Sequence, residues 1–320
     1  MSVRSVTFRS GRPATSRWTP PRAAAVLIAV CALVGCAPAA EPVSAPAHTH
    51  PPADWARRCT DWDKWDTPGP PFRIFGNSYY VGTCGIAAIL VTGDAGHVLI
   101  DGGTEAGAAL IQANIEALGF AIRDVKLVLH SHEHLDHVGG LARLQQISGA
   151  RLLASPAAAP VLQSGIASGD DPQAGMHPAF PPARVDGLVR PGTPVTLGRL
   201  RLTPVATPGH TSGALTWQWQ DCEGARCLSL VYADSLSPVS SERYRFSDHP
   251  AYLEAYRASL RSVAALDCAI LLTPHPSASG MRDRLGAPAG LVDPGACRAF
   301  AGAVTGRLDE RLATEARSRP

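Results

Sequence analysis

Several features that mark common function classes are scarce or missing in this chain. Charge of one sign is not in excess. Lys and Arg number 29 against 27 Asp and Glu, a formal net charge of +2. Apart from an N-terminal cluster the cations are scattered, and no basic stripe carries interleaved aromatics, which argues against a nucleic-acid partner. Neither Ser164 nor Ser212 sits in a GxSxG context and no SxxK pair stands out, so serine nucleophile chemistry is disfavoured. No two cysteines have CxxC spacing, which disfavours a thiolate zinc site. GTEAG is too weak a signal for a phosphate loop. Aromatics are only 6% of the chain.

What is present begins with an export signature. Arg4, Arg9, Arg12, Arg17 and Arg22 precede AAAVLIAVCALVG, an apolar run of 13 residues, too short to span a bilayer. It ends in LVGC at 33–36, which resembles a bacterial lipobox with Cys36 as the lipidated residue. Ordinary cleavage near APAA at 37–40 is the competing reading. The sequence therefore divides into a signal peptide at 1–36, a Pro/Ala-rich flexible linker at 37–57 that holds His48 and His50, and one domain at 58–316. The expected location is the periplasm, with possible attachment to the outer membrane through Cys36. Six cysteines remain beyond Cys31 and Cys36. An even number in an exported chain suggests disulfides, but six cysteines allow 15 pairings, and only Cys222–Cys227 in CEGARC is locally plausible.

The apolar pattern predicts three or four antiparallel strands within residues 74–101 and a helix over 105–118. A buried strand is predicted at 125–130, a short helix at 138–147 and a returning strand at 150–155. Residues 155–195 are aperiodic and read as loops with one helix near 156–165. Strands at 199–207, 213–220 and 227–233, a helix at 251–266, a strand at 269–274 and a final helix at 294–316 complete the pattern. The expected class is α/β, with helices covering a sandwich of two mainly antiparallel sheets.

The densest chemistry is in LVLHSHEHLDHVGG, residues 127–140, where four histidines and two acids fall between His130 and His137. His132, His134, Asp136 and His137 form HxHxDH at the end of a strand. Alternate spacing points His132 and His134 the same way, and imidazole and carboxylate are zinc ligands. Four ligands do not fill two metal sites. His210 in ATPGHTSG and His275 in LLTPHPSAS also follow strands, in loops shaped by Pro and Gly. His130 reads as a core histidine. His97, His177 and His249 read as structural or solvated, with a place in the pocket lining the lesser alternative for His177. The tryptophans read as core residues, with Trp55, Trp62 and Trp65 ahead of the first strand and a flanking role for one of them the lesser alternative.

HSHEHLDH, TPGHTSG and TPHPSAS, in that order, resemble the metallo-β-lactamase superfamily over about residues 58–316. VYADSLSPVS and NSYYVGTCGIAAILV are similar to segments of the class B β-lactamases of subclass 3. This resemblance implies the four-layer αβ/βα sandwich and two Zn2+, one held by His132, His134 and His210, the other by Asp136, His137 and His275. It implies Asp136 as the catalytic group that orients a zinc-bound hydroxide, Ser235 and Ser237 as substrate-binding hydroxyls, and Asp101 as a carboxylate behind a metal-binding histidine. It further implies the bridges Cys59–Cys84, Cys222–Cys227 and Cys268–Cys297. The function implied is opening of the β-lactam ring in penicillins, cephalosporins and carbapenems by a monomer. Alternatives are a lactonase or glyoxalase II-like thioesterase of the same fold, expected if Asp234 bridges both metals, and a non-catalytic metal-binding envelope protein.

Overall fold

The computed structural model describes residues 50–318. The expected export signal, Cys31, the lipobox at Cys36, His48 and most of the expected linker lie outside the described residues. The folded body starts earlier than the sequence suggests. Residues of the expected linker form the helix α1 (Pro52–Arg58), because Trp55 is fully buried against Tyr80 and anchors it.

Two sheets follow. The first takes β1 (Phe72–Phe75), β2 (Ser78–Tyr80), β3 (Ile89–Val91), β4 (His97–Ile100), β5 (Val125–Leu129), β6 (Arg151–Ala154) and β7 (Val185–Leu188) in sequence order. The second runs β12 (Ile270–Leu272), β11 (Arg226–Tyr232), β10 (Leu215–Glu223), β9 (Leu200–Ala206), β8 (Val195–Leu197). Helices α2 (Gly107–Ala117), α3 (Leu135–Val138), α4 (Leu141–Ser148) and α5 (Ala158–Ser164) intervene in the first half, and α6 (Pro250–Ala264), α7 (Met281–Gly286) and α8 (Ala296–Arg317) in the second.

Alternation along the strands builds the layers. In β4, Val98 and Ile100 face the core between the sheets, while Leu99 faces the outer core with Ile111, Ile115, Leu141 and Leu144. In β11 and β12, Leu230, Tyr232, Ile270 and Leu272 point inward, while Val231 and Leu271 pack outward with Leu260, Val263, Phe300, Val304 and Leu308. Sheet faces sheet, and each outer face is covered by helices, the expected αβ/βα sandwich. The second sheet is mainly antiparallel, with only β11–β12 parallel. The first is evenly mixed: β1 to β4 pair antiparallel, β4 to β7 parallel. The parallel half follows from the crossovers after β4, β5 and β6, which carry helices and bring the chain back in the same direction.

Strands β7 and β8 lie where loops were expected. VDGL has little intrinsic strand preference, and β7 forms because β6 offers an unpaired edge beside it. The helix expected at 138–147 is broken at Gly139–Gly140. A side chain on Gly140 would come within 2.3 Å of the Gly102 carbonyl oxygen, and the turn after β4 grips this point through Gly102 N–H to His137 C=O at 2.8 Å and Gly140 N–H to Gly103 C=O at 3.0 Å. Among the described residues no helix is long and apolar enough to cross a membrane.

Candidate metal centre

The ends of β5, β9, β11 and β12 open on one edge of the sandwich, and the loops leaving them carry the candidate residues. Leu215 N–H donates to the Ser131 carbonyl at 2.6 Å, tying the second sheet to the loop after β5. His132, His134 and His210 offer ligand atoms that all lie within 4.8 Å of one another, and so do His132, Asp136 and His137. His134 Nδ1 faces His210 Nε2 at 3.1 Å. Asp136 Oδ2 lies 3.1 Å from His137 Nε2 and 3.3 Å from His275 Nε2. All six side chains meet, although His210 and His275 are remote from the motif in sequence.

The polar bookkeeping of this cluster fits a metal. His132 Nε2 and both ring nitrogens of His137 are buried and make no hydrogen bond. Leaving such groups unsatisfied is costly, and a coordinated cation would satisfy them. Burial first, then the surrounding imidazoles, hold His132 well below its ordinary range, and burial with His134 beside it takes His210 down to about 3. Both are therefore neutral imidazoles, the ligating form. Burial works against ionisation of Asp136, but His137 and His275 outweigh it and keep the carboxyl well below the usual carboxylate range.

Carboxylates behind the cluster orient it. Asp171 Oδ2 accepts from His134 Nε2 at 2.9 Å, while its Oδ1 accepts from Gln173 N–H at 2.7 Å. Asp234 Oδ1 lies 2.9 Å from His132 Nδ1, and its Oδ2 accepts from Leu236 N–H at 3.0 Å. Burial raises Asp234 to about 7. Asp101 is held mainly by the loop around it. It is fully buried, with a left-handed φ of 65°, and its oxygens accept from Ser131 N–H at 2.6 Å, Ser131 Oγ at 2.7 Å and Tyr232 OH at 2.7 Å. Its Oδ2 also lies 3.8 Å from His137 Nδ1, the ring nitrogen turned away from Asp136, so Asp101 stands behind a ligand histidine as an ion-pair neighbour while its hydrogen bonds brace the loop.

A cavity of about 600 Å³ opens above the cluster. His134, Asp136, His210, His275, Ser235 and Ser237 all line it. The two serines are not equivalent. Ser235 Oγ is buried with no hydrogen-bond partner, whereas Ser237 presents its Oγ at 3.1 Å and its carbonyl at 2.9 Å to His210 Nδ1. His177 also lines the cavity, as does Gln173, whose Nε2 is 3.4 Å from His210 Nε2. His130 packs in the core as read from sequence, its Nε2 accepting from Ser155 N–H at 3.1 Å.

The tryptophans divide. Trp55, Trp217 and Trp219 are core residues, but Trp62 and Trp65 stand on the cavity rim, and Trp62 is 69% exposed. Trp62 N–H donates to Ser277 Oγ at 2.8 Å, on the loop that carries His275. No residue-type pattern marked Asp171 or Gln173 in advance. The sulfurs are paired as Cys59–Cys84, Cys222–Cys227 and Cys268–Cys297.

Comparison with known proteins agrees with this geometry. The family model described as "Metallo-beta-lactamase superfamily" matches residues 81–275. Among solved structures, the MIM-2 metallo-beta-lactamase is 61% identical, with 83% of this chain and 99% of that one covered at a TM-score of 0.80. MIM-1 from Novosphingobium pentaromativorans is 47% identical, covering 84% and 100%, also at 0.80. BJP-1, a subclass B3 metallo-beta-lactamase of Bradyrhizobium japonicum, is 32% identical, covering 80% and 98%, at 0.73. A hydroxyacylglutathione hydrolase of Acidiphilium cryptum is 32% identical over 155 residues, 48% of this chain and 51% of that protein. The chain spans about half the length of the curated relatives it matches.

Proposed function

This chain belongs to the metallo-beta-lactamase superfamily, and on that premise we propose that it is an exported dizinc hydrolase that opens the β-lactam ring of penicillins, cephalosporins and carbapenems. His132, His134 and His210 would hold one zinc, and Asp136, His137 and His275 the other. The donor set is nitrogen and oxygen only, which suits zinc. When bound, the pair supplies Lewis acidity that polarises the amide carbonyl and makes water acidic near neutral pH.

The chain's own residues do the rest. Asp136 is ionised and is the one acid lining the cavity, placed to accept a proton from attacking water and to fix its direction. Asp171 keeps His134 in the tautomer that turns its Nδ1 inward, and Asp234 stands 2.9 Å behind His132 Nδ1. Ser235 Oγ is available to donate to the substrate, and Ser237 Oγ can do so while leaving its carbonyl on His210. Trp62 and Trp65 give the mouth an apolar rim that excludes water from the reacting amide.

The observation that carries the choice of substrate is the position of Asp234. A lactonase or glyoxalase-type site was expected to place this carboxylate between the two metals. Here it sits at the outer nitrogen of His132 with its second oxygen on Leu236 N–H, and Ser235 occupies the cavity wall instead. The fold and the 61% identity to a metallo-beta-lactamase support the same reading. In the cell the protein would act in the periplasm as a monomer, with lipidation at Cys36 anchoring it to the outer membrane. The deciding experiment is hydrolysis of a chromogenic cephalosporin and of an acyl-homoserine lactone, each with and without a chelator. Chelator-sensitive turnover of the cephalosporin alone is expected, and turnover of the lactone alone would reject the proposal.

A further inference from the structure

One buried acid of the HxHxDH stretch has no task in the chemistry above. Glu133 lies between His132 and His134 in the chain, yet it offers no atom to the ligand cluster and stays out of the cavity wall. It is 4% exposed. Its carboxylate instead reaches the loop of the second sheet that carries His210. Oε2 accepts from Thr211 Oγ1 at 2.7 Å, and Oε1 accepts from Gly213 N–H at 2.9 Å. Thr211 is fully buried and directly follows His210. A Cβ at position 213 would stand 2.7 Å from Glu133 Oε1 and 2.6 Å from the Ala158 nitrogen, so only glycine lets the two loops close on this carboxylate.

The far side of the same loop is tied as well. Ser155 Oγ donates to the Gly213 carbonyl at 2.7 Å, and Gly209 N–H donates to the Thr211 carbonyl at 3.1 Å. The ring of His210 is fixed at Nδ1 by the Ser237 carbonyl at 2.9 Å, which leaves Nε2 facing His134 Nδ1 at 3.1 Å. Ring and backbone are thus held by different partners, and Glu133 holds the backbone. Burying a carboxylate is costly, and an apolar side chain would fill the space without that cost. What the carboxylate adds is two directed acceptors aimed at two donors of one loop. Resting on the two-metal reading, we infer that Glu133 is the positioning residue for His210. It sets the span between the three imidazoles of one metal, and so the affinity for that metal, and leaves the Asp136, His137 and His275 site alone.

The test is competition for zinc between the full chain and a chromogenic chelator, which gives two stepwise constants. Glu133→Ala should weaken one constant about ten-fold and leave the other within about two-fold, as removal of a group that orients one ligand implies. Thr211→Val keeps the volume but removes one donor, and should act on the same constant to a smaller extent. Glu133→Gln keeps an acceptor for Gly213 N–H and a hydrogen bond to Thr211, so it should retain the wild-type constants. A Gln variant as weak as the Ala variant would assign the effect to charge and overturn the inference. The decisive arm is a double-mutant cycle. In a His210→Ala background, Glu133→Ala should change neither constant further, because its path to the metal runs through that ring. An additive loss there, or equal losses in both constants, marks a general loosening of the fold and overturns the inference. If Glu133→Ala does not fold, Thr211→Val carries the same cycle. No readout needs a substrate, so failure to open a β-lactam leaves the result standing. A wild type that takes up no zinc rejects the two-metal reading and this inference together. A wild type that holds two ions, with constants unmoved in Glu133→Ala and Thr211→Val, rejects the inference alone.

Discussion

His134 can offer Nδ1 to a metal only while its Nε2 carries the proton, and the Asp171 carboxylate 2.9 Å away holds that proton in place. Asp171 is itself immobilised by Gln173 N–H, so ring orientation and tautomer are both set from outside the ligand cluster. Asp171→Asn keeps the volume but leaves a carboxamide that can present an N–H where an acceptor is needed. Metal affinity should fall roughly 10- to 100-fold, the usual cost of losing such a partner. Competition with a chromogenic chelator measures it, and unchanged affinity would mean that His134 is oriented by its own packing. HxHxDH was legible because its ligands are almost adjacent and follow a buried strand, and His210 and His275 were legible from the turn residues around them. Asp171 was not, since SGDDP sits in an aperiodic segment where an aspartate before proline reads as an ordinary turn. Sequence likewise gave no way to separate Ser235, free in the cavity wall, from Ser237, engaged with His210.

At the scale of elements, the last helix shows how a distant segment holds the site's loops. Glu315 near the end of α8 is 4% exposed and accepts from Phe246 N–H at 3.0 Å, Ser247 N–H at 2.9 Å and Arg311 Nε at 2.9 Å. Burial pushes this carboxyl up, but those donors outweigh it and the net shift is downward. A carboxyl depressed in the folded state stabilises the fold fully above its unfolded value and loses that contribution as pH falls through the folded value. Glu315→Gln should therefore lower Tm at neutral pH, with a loss of about 1–3 kcal/mol, and the gap to wild type should close on acidification toward pH 3. Thermal melts across that range decide it, and a gap that is constant with pH would assign the loss to packing. The α8 helix was foreseeable because Phe300, Val304 and Leu308 recur every four residues and all are buried. The short elements were not. VDGL becomes β7 only through pairing with β6, and α1 exists because Trp55 finds a slot beside Tyr80, a tertiary effect that a Pro/Ala-rich stretch does not announce. The rim positions of Trp62 and Trp65 also depend on where the loop after Cys59 is tied, through Trp62 N–H to Ser277 and Thr83 Oγ1 to the Trp65 carbonyl at 2.5 Å.

For the whole molecule, the ligand cluster is also a joint between the two sheets. His132, His134, Asp136 and His137 leave the first sheet after β5, whereas His210 and His275 come from loops of the second sheet, after β9 and β12. Without an ion, that joint brings together buried ring nitrogens that lack a hydrogen-bond partner, as at His132 Nε2. An ion that binds the folded state and not the unfolded chain adds stability by mass action, about 4 kcal/mol at a thousand-fold excess over Kd. For a domain of this size that corresponds to a rise in Tm of roughly 10 °C. Chelation should therefore abolish activity and lower Tm by about that amount, in one cooperative transition because both sheets share the joint. His210→Ala and His275→Ala each remove the second sheet's contribution to one metal, and each should shrink the chelator-induced shift even though both residues lie far from HxHxDH in the chain. Scanning calorimetry with and without chelator on wild type and both variants provides the measurement. A wild-type shift that both variants retain in full would mean that the motif after β5 holds metal alone, and that the sheets are joined only by their apolar core.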